Sequence, residues 1–479
     1  MLKRIICFIV LTSFVLSMTA CEFDNKGYVF TKGITHKQIS IENYFNDSSG
    51  QNETFNLLEV DFNTNEISAL GTISYNSATG LQSIGEQASA ALNNGKKVVA
   101  GINGDMYAMD SAFGPGIGTP SCPTIVDGIL YNSFLYKESA SKLPIFTIDS
   151  NNNPDITHLQ LDINIDFYYK NGNTQTYNTW LFNRNFTVIN SIVVFNSRIK
   201  NDGILEILTD MESLYKVNLT QATFITIAGI PDASEVKVGK TYSGVVQSCT
   251  KYDGNNVFNV PDDCFLIVDL ISQIYYPSNI KNADITFNIN EMDKNGDFSI
   301  PRRDIMQSIG SYNWLIKDGE VQTEKIYKEK KYPIINNIIT ERLPRTGLGL
   351  KQDGTLIAAV VDGYSENSAG LTMEEWACYF DSLGCINAIN FDGGRSTEMV
   401  VLDKEKKGFV SINEVPDGIS RPISTGLLFT TQSNNIRGYG DASYIQTIII
   451  STLAVLILIP CIYYSYVYIK KKQTKKSWR

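Results

Sequence analysis

Histidine is almost missing from this sequence: 479 residues contain two, His36 and His158, and neither sits in a ligand-like or catalytic spacing. A serine triad, a histidine zinc site and histidine acid–base catalysis therefore have little to build on. Cysteine offers no substitute, because none of the 8 cysteines forms a C-x-x-C pair. Basic charge is short as well. Against 50 Asp and Glu there are 41 Lys and Arg, and eight of those lie at the chain ends (Lys3, Arg4 and six after residue 469), leaving 33 in between. A nucleic-acid partner needs a basic footprint, so none is expected. No clear repeat and no long linker interrupts the middle of the chain, so residues 52–431 read as one large domain.

The ends carry the longest apolar runs. Residues 1–20, MLKRIICFIVLTSFVLSMTA, have the layout of a secretory signal peptide. Cys21 after SMTA leaves lipidation open as an alternative. Residues 21–51 form a polar leader and 432–442 a juxtamembrane linker. Residues 443–469 hold no charged side chain and exceed the roughly 20 apolar residues that a transmembrane helix needs. The basic tail 470–479 fits the cytoplasmic side. These features predict a single-pass type I membrane protein whose ectodomain is extracytoplasmic, at the cell surface or in a lumen. Four sequons, at Asn46, Asn52, Asn185 and Asn218, agree with an exterior surface. In such a compartment Cys249 and Cys264 could close a loop around YDGNNVFNVPDD. Cys378 and Cys385 are less suited, since a helix to about Leu383 would hold them apart.

The expected fold is α+β, a mixed β-sheet core with flanking helices. FNLLEVDFN (55–63) and KKVVAGIN (96–103) read as strands, and the intervening LQSIGEQASAALNNG as a helix that stops at Gly95. Residues 159–246 look β-rich. TLIAAVVDGY (355–364), LTMEEWACYFDSLGC and INAINF (386–391) read as strand, helix, strand, with Thr372 and Glu375 as a capping box. A parallel pairing of the two strands would bring Asp362 and Asp392 to one sheet edge, where ligands bind in such arrangements.

The chemistry left open is that of aspartate with glycine and arginine nearby. NGDMY (103–107) and DGG (392–394) each follow a strand, so backbone amides can approach an anion while the aspartate serves as base, nucleophile or hydroxyl acceptor. Either copy alone also fits a plain turn. The ordered set VVAGINGDMY, GPGIGTP, IVDGIL, WLIKDGEV, PRTGLGL, DGTLIAAVVDGYSENSAGLTMEEWACYFDSLGCINAINFDGGRSTEMVV and RPISTGLLF resembles the phosphodiester glycosidase family over residues 52–431.

That resemblance implies hydrolysis of a sugar-1-phosphodiester bond in a glycan or surface polysaccharide, without a cofactor or metal. It implies Asp392 as the first catalytic carboxylate, Asp105 and Asp362 as further ones, and Arg345 on the phosphate. Asn103, Gly104, Thr346, Gly363, Gly393, Gly394, Arg395, Ser396 and Thr397 are the implied substrate-binding positions. Arg395 stands where the family usually has glycine in DGGGS, so either the pocket is altered or the side chain points outward. A non-catalytic glycan- or wall-binding protein that retains the fold is the alternative. LPRTG (343–347) lies too far from the chain end to be a sorting signal. DKNGDFSIPRRD (293–304) has calcium-loop offsets but Phe298 where such a loop turns on glycine. Asp127–Gly128 and Asp318–Gly319 fit hairpin turns.

Overall fold

The computed structural model describes residues 26–42, 44–45, 52–109, 118–135, 137–184, 192–199, 218–253, 259–322 and 336–438, with single positions 204, 208, 209 and 212. The expected signal peptide, membrane span and tail lie outside these residues, as do Asn46, Asn185 and part of GPGIGTP. Among the described residues no helix is long and apolar enough to cross a membrane.

The described residues are mostly β with few short helices, so the expected sheet core with flanking helices is found with less helix than α+β implies. Two sheets stacked face to face position the site. An 8-stranded sheet runs Lys26–Thr31, Ile34–Ile41, Glu53–Asp61, Thr355–Val361, Arg345–Lys351, Cys385–Asn390, Asn313–Lys317, Glu320–Val321. A 5-stranded sheet runs Gly408–Ser411, Met399–Asp403, Val98–Asn103, Thr425–Thr431, Ile67–Ile73. Period-two alternation decides what each face meets. Leu356, Ala358 and Val360 point into the core between the sheets with Ile102, Val401, Leu427 and Phe429. Ile357, Ala359 and Val361 point the other way, against Trp376 and Phe380 of the helix Met373–Ser382. The helix Ile84–Asn93 covers the far side of the 5-stranded sheet with Ile84, Ala88 and Ala91. The order is thus helix, sheet, sheet, helix. A 9-stranded sheet from Thr174–Thr179 to Leu181–Phe182 and a second 5-stranded sheet around Ile305–Gly310 complete the described architecture.

Both helices begin where their capping residues predict. Ser83 with Glu86, and Thr372 with Glu375, form reciprocal capping boxes. Gly95 and Gly384, at φ 84° and 79°, follow the last turns. Both expected Asp-Gly hairpins are present, with Asp127, Gly128, Asp318 and Gly319 all at positive φ.

The strands ending before Asp362 and Asp392 do not pair, contrary to expectation. Arg345–Lys351 lies between them, antiparallel to both. The tight turn at Asp353–Gly354 closes a local hairpin between 345–351 and 355–361, and the crossover helix then delivers 385–390 to the free side of 345–351. A short loop costs less closure entropy than a long one. The two aspartate-bearing strands still run in one direction, so both carboxylates reach the same sheet edge, together with the first residue of the intervening strand, Arg345.

Cys249 and Cys264 are free thiols. Cys249 is registered with Ile225 and Cys264 with Ala228 on the strand between them. Two interstrand steps of about 4.8 Å exceed the roughly 7 Å reach of a disulfide, so this pair is not a bridge. Asp293 closes its own turn, accepting from the Asn295 and Asp297 amides and the Ser299 hydroxyl. No group of three or more metal-ligating side chains occurs among the described residues.

Candidate active site

The site is assembled where the two stacked sheets meet at the ends of Val98–Asn103 and Cys385–Asn390. The Asn103 carboxamide is fully buried and joins three segments. Its Nδ2 donates to the Asp392 carbonyl at 2.6 Å, and its Oδ1 accepts from the Thr346 hydroxyl at 2.6 Å and from the Glu398 amide at 3.1 Å. Next along the chain, the Gly104 carbonyl accepts from the Asp392 amide, and the Gly104 amide donates to the Thr425 carbonyl, each at 2.9 Å. NGD and DGG therefore face each other through main-chain contacts, with their carboxylates in one neighbourhood.

Asp105 is buried, and its Oδ2 accepts from the Cys122 amide at 2.8 Å, while its own amide donates to Thr425 Oγ1 at 2.9 Å. Its Oδ1 has no hydrogen-bond partner. Gly310 makes room for it, since a Cβ there would lie 2.6 Å from Oδ2. Burial raises the Asp105 pKa to about 7; the Cys122 amide and Arg184 pull it back, and the nearby charge of Asp392 adds to the rise. Asp392 is partly exposed and accepts from the Gly393 amide at 3.0 Å. Desolvation raises it to about 6 against the pull of Ser396, Arg421 and the Gly393 amide. The Arg421 guanidinium stands 6.0 Å from the Tyr107 ring centroid, and the Tyr107 hydroxyl donates to the Pro422 carbonyl at 2.9 Å. Tyr107 titrates above its ordinary value because of burial and the charge of Asp392.

Asp362 belongs to a second carboxylate group on the same edge. Its Oδ1 accepts from the Glu414 amide at 3.1 Å, and its carbonyl accepts from the Ser368 hydroxyl at 2.9 Å. That hydroxyl also lies 2.6 Å from Glu53 Oε2, and Glu53 further accepts from the Ala369 and Gly370 amides. Desolvation raises Asp362 and Glu53 each to about 7.

The arginines divide differently from expectation. Arg345 is buried, with Nε donating to the Leu371 carbonyl and Nη2 to the Ile338 and Glu341 carbonyls, so these donors hold the segments flanking the sheet edge. Arg395 is 67% exposed and pairs with Asp417 at 3.3 Å; of its two expected dispositions, the outward one is found. Gly394, at φ 60°, carries the turn beneath it, its amide donating to the Pro344 carbonyl at 2.8 Å. Gly363 packs against Pro344, where a Cβ would approach within 2.8 Å. Ser396 and Thr397 are buried beside Asp392, and Thr397 Oγ1 has no hydrogen-bond partner.

Sequence reasoning missed Arg421, Glu53 and Glu414, and gave Tyr107 no role. Arg421 had a signal: it opens the RPISTGLLF stretch, where a cation stands out in a largely acidic chain. Glu53 had none, because its partners Ser368, Ala369 and Gly370 are remote in sequence.

Residues 247–430 match the family model described as Phosphodiester glycosidase. A SPbeta prophage-derived uncharacterized protein of Bacillus subtilis (strain 168) is 34% identical over 126 residues, 25% of this chain. The match spans only 18% of that relative's length. Two solved structures share the fold: a hypothetical protein from Synechocystis (TM-score 0.59, 15% identity, 85% of this chain and 64% of that one) and a protein from Burkholderia pseudomallei K96243 (TM-score 0.56, 15% identity, 80% and 74%).

Four carboxyls with raised folded-state pKa values (Glu53, Asp105, Asp362, Asp392) bind protons more tightly folded than unfolded. The sign follows. Below about pH 4 both states are protonated; as pH rises toward 7 the unfolded chain releases protons that the folded chain retains, so stability falls. His36, held neutral by burial with a pKa of about 4, works in the opposite direction up to about pH 6.5. Asp105→Asn removes the proton uptake at Asp105. Its melting temperature, measured by calorimetry, should rise relative to wild type as pH goes from about 5 to about 8. A constant gap across that range would contradict the assignment.

Proposed function

We propose, from the match of residues 247–430 to the phosphodiester glycosidase family model, that this chain hydrolyses the bond between an anomeric carbon and a phosphodiester, releasing free sugar. The observation that carries the reading is the pair Asp105 and Asp392, held together by Asn103 and Gly104, with pKa values raised to about 7 and about 6. Asp105, the more deeply buried, is the better held as an acid and Asp392 the more readily ionised, which favours one carboxylate and one acid in a single site without histidine. The departing phosphate monoester has a second pKa of about 6, so it leaves with little protonation. What the reaction needs is a carboxylate beside the oxocarbenium-like centre and a cation for the phosphate.

In this reading Asp392 supports the anomeric centre and Asp105 supplies or shares a proton. Arg421, drawn toward Asp392 and half-buried beside Tyr107, meets the phosphate. Arg345 positions the loop rather than the anion, and Asn103 with Thr346 fixes the Asp392 turn. Asp362 with Glu53 holds the neighbouring segment 368–370. Arg395 points away, which supports an unobstructed pocket over a purely glycan-binding role. The sugar and the group beyond the phosphate are set by surfaces outside this carboxylate pair.

The uncharged run 443–469 and the signal-peptide layout of 1–20 support an extracytoplasmic site anchored to a membrane. A protease added to intact cells should remove the domain, and full protection of it would overturn that placement. For the chemistry, the purified chain incubated with a panel of sugar-1-phosphodiesters should release free sugar. Asp392→Asn should lower turnover by on the order of a hundredfold or more while keeping the fold by circular dichroism. A parental rate in this variant would reduce Asp392 to a turn residue.

A further inference from the structure

The turn Ser74–Asn76 holds an exposed tyrosine in a left-handed backbone conformation. Tyr75 and Asn76 are both left-handed, at φ 55° and 51°, a region open to asparagine but disfavoured for tyrosine. Nevertheless Tyr75 is 61% exposed, so the ring gains little from burial in return. The surroundings over-determine the turn. The Tyr75 amide donates to Gln82 Oε1 at 2.9 Å, the Ser74 amide donates to the Ser424 carbonyl at 2.8 Å, and Arg198 Nη1 donates to the Asn76 carbonyl at 3.2 Å. Gly80 lies beside the ring, where a Cβ would come within 3.1 Å of it. Strain held this firmly at an exposed aromatic is a sign of use.

The ring borders a groove of about 320 Å³ between the strand Ile67–Ile73, the helix Ile84–Asn93 and the hairpin at Asp127. Its polar lining includes the carboxamides of Asn76, Gln82 and Asn94, and its ion pair is internal, Lys96 to Asp127 at 3.0 Å. An exposed aromatic face beside amide donors and acceptors, with its charges mutually compensated, suits the apolar face and the hydroxyls of a neutral sugar ring. The volume, at the low end of the roughly 300–1,000 Å³ typical of ligand pockets, suits one or two such rings. The groove also shares a wall with the candidate active site. Gln82 and Ile423 exchange main-chain hydrogen bonds at 3.0 and 2.9 Å, and Ile423 lies between Arg421, whose charge acts on Asp392, and Thr425, which holds Asp105.

We propose that the Tyr75 groove is an accessory subsite that binds neutral sugar units of a longer glycan, with Tyr75 as the stacking platform. As a subsite it rests on the glycosidase reading, but its binding can be measured without turnover. Glycine is at ease at φ 55°, so Tyr75→Gly removes the ring and relieves the backbone. The full-length chain is titrated by calorimetry and saturation-transfer NMR with three probes: hexasaccharides of β-1,4-linked N-acetylglucosamine, β-1,4-linked glucose and α-1,4-linked glucose. At least one should bind, with affinity reduced tenfold or more in Tyr75→Gly and severalfold in Asn94→Ala, yet unchanged in Asp392→Asn. Tyr75→Gly should melt no lower than wild type and should release sugar from a small methyl-phosphodiester at the parental rate. The proposal is overturned if no hexasaccharide binds, if Tyr75→Gly binds like wild type, or if it melts several degrees lower, which would make the ring structural. Failure of the wild-type chain to release sugar while the hexasaccharide result holds would count against the catalytic reading alone.

Discussion

One buried carboxamide, that of Asn103, fixes the relation between the two stacked sheets. It is the last residue of a central strand in the 5-stranded sheet, and it reaches Thr346 and the Asp392 carbonyl on the 8-stranded sheet while also capping the Glu398 amide. A hydrophobic core alone leaves two sheets free to slide by a fraction of a residue. A polar contact inside it does not, because each partner left behind costs about 1–3 kcal/mol. The positions of Asp105 and Asp392 follow from this contact: they stand two residues beyond Asn103 and at the residue whose carbonyl it holds.

The same arrangement explains why so many acids are concentrated at a buried edge. Desolvation works against the ionised form of Glu53, Asp105, Asp362 and Asp392 alike, and one pKa unit corresponds to about 1.4 kcal/mol. A fold selected for stability alone would place neutral groups there. The two groups differ in what answers the burial. Glu53 is matched by a hydroxyl and two amides of 368–370, as a structural clamp would be. Asp105 keeps one oxygen unpartnered and Asp392 keeps partial access to solvent, as a reacting pair would.

Local signals in the sequence carried most of what proved legible. Thr372 with Glu375 set one helix start, Gly95 and Gly384 marked the ends, and the Asp-Gly pairs made their hairpins, because each depends on residues a few positions apart. Strand existence was legible for the same reason. Strand neighbours were not: the insertion of 345–351 between the two aspartate-bearing strands depends on contacts across the sheet, and alternation within a strand carries no information on its partner. Asp392, Asp105 and Asn103 stood out because glycine flanks them at strand ends. Arg345 looked like an anion ligand by position, but its Nε and Nη2 turn to carbonyls. Glu53 carried no local signal and is buried against a loop some 315 residues away.

The account stands on Asp105 and Asp392 as one coupled pair of carboxyls with raised pKa values. Carbon-13 NMR of the aspartate carboxyls, titrated with pH and assigned through Asp105→Asn and Asp392→Asn, tests this most directly. Two signals should titrate near 7 and near 6, and removing the Asp392 charge should move the Asp105 midpoint down. Two independent midpoints at the ordinary aspartate value of about 4, each indifferent to loss of the other group, would contradict the account.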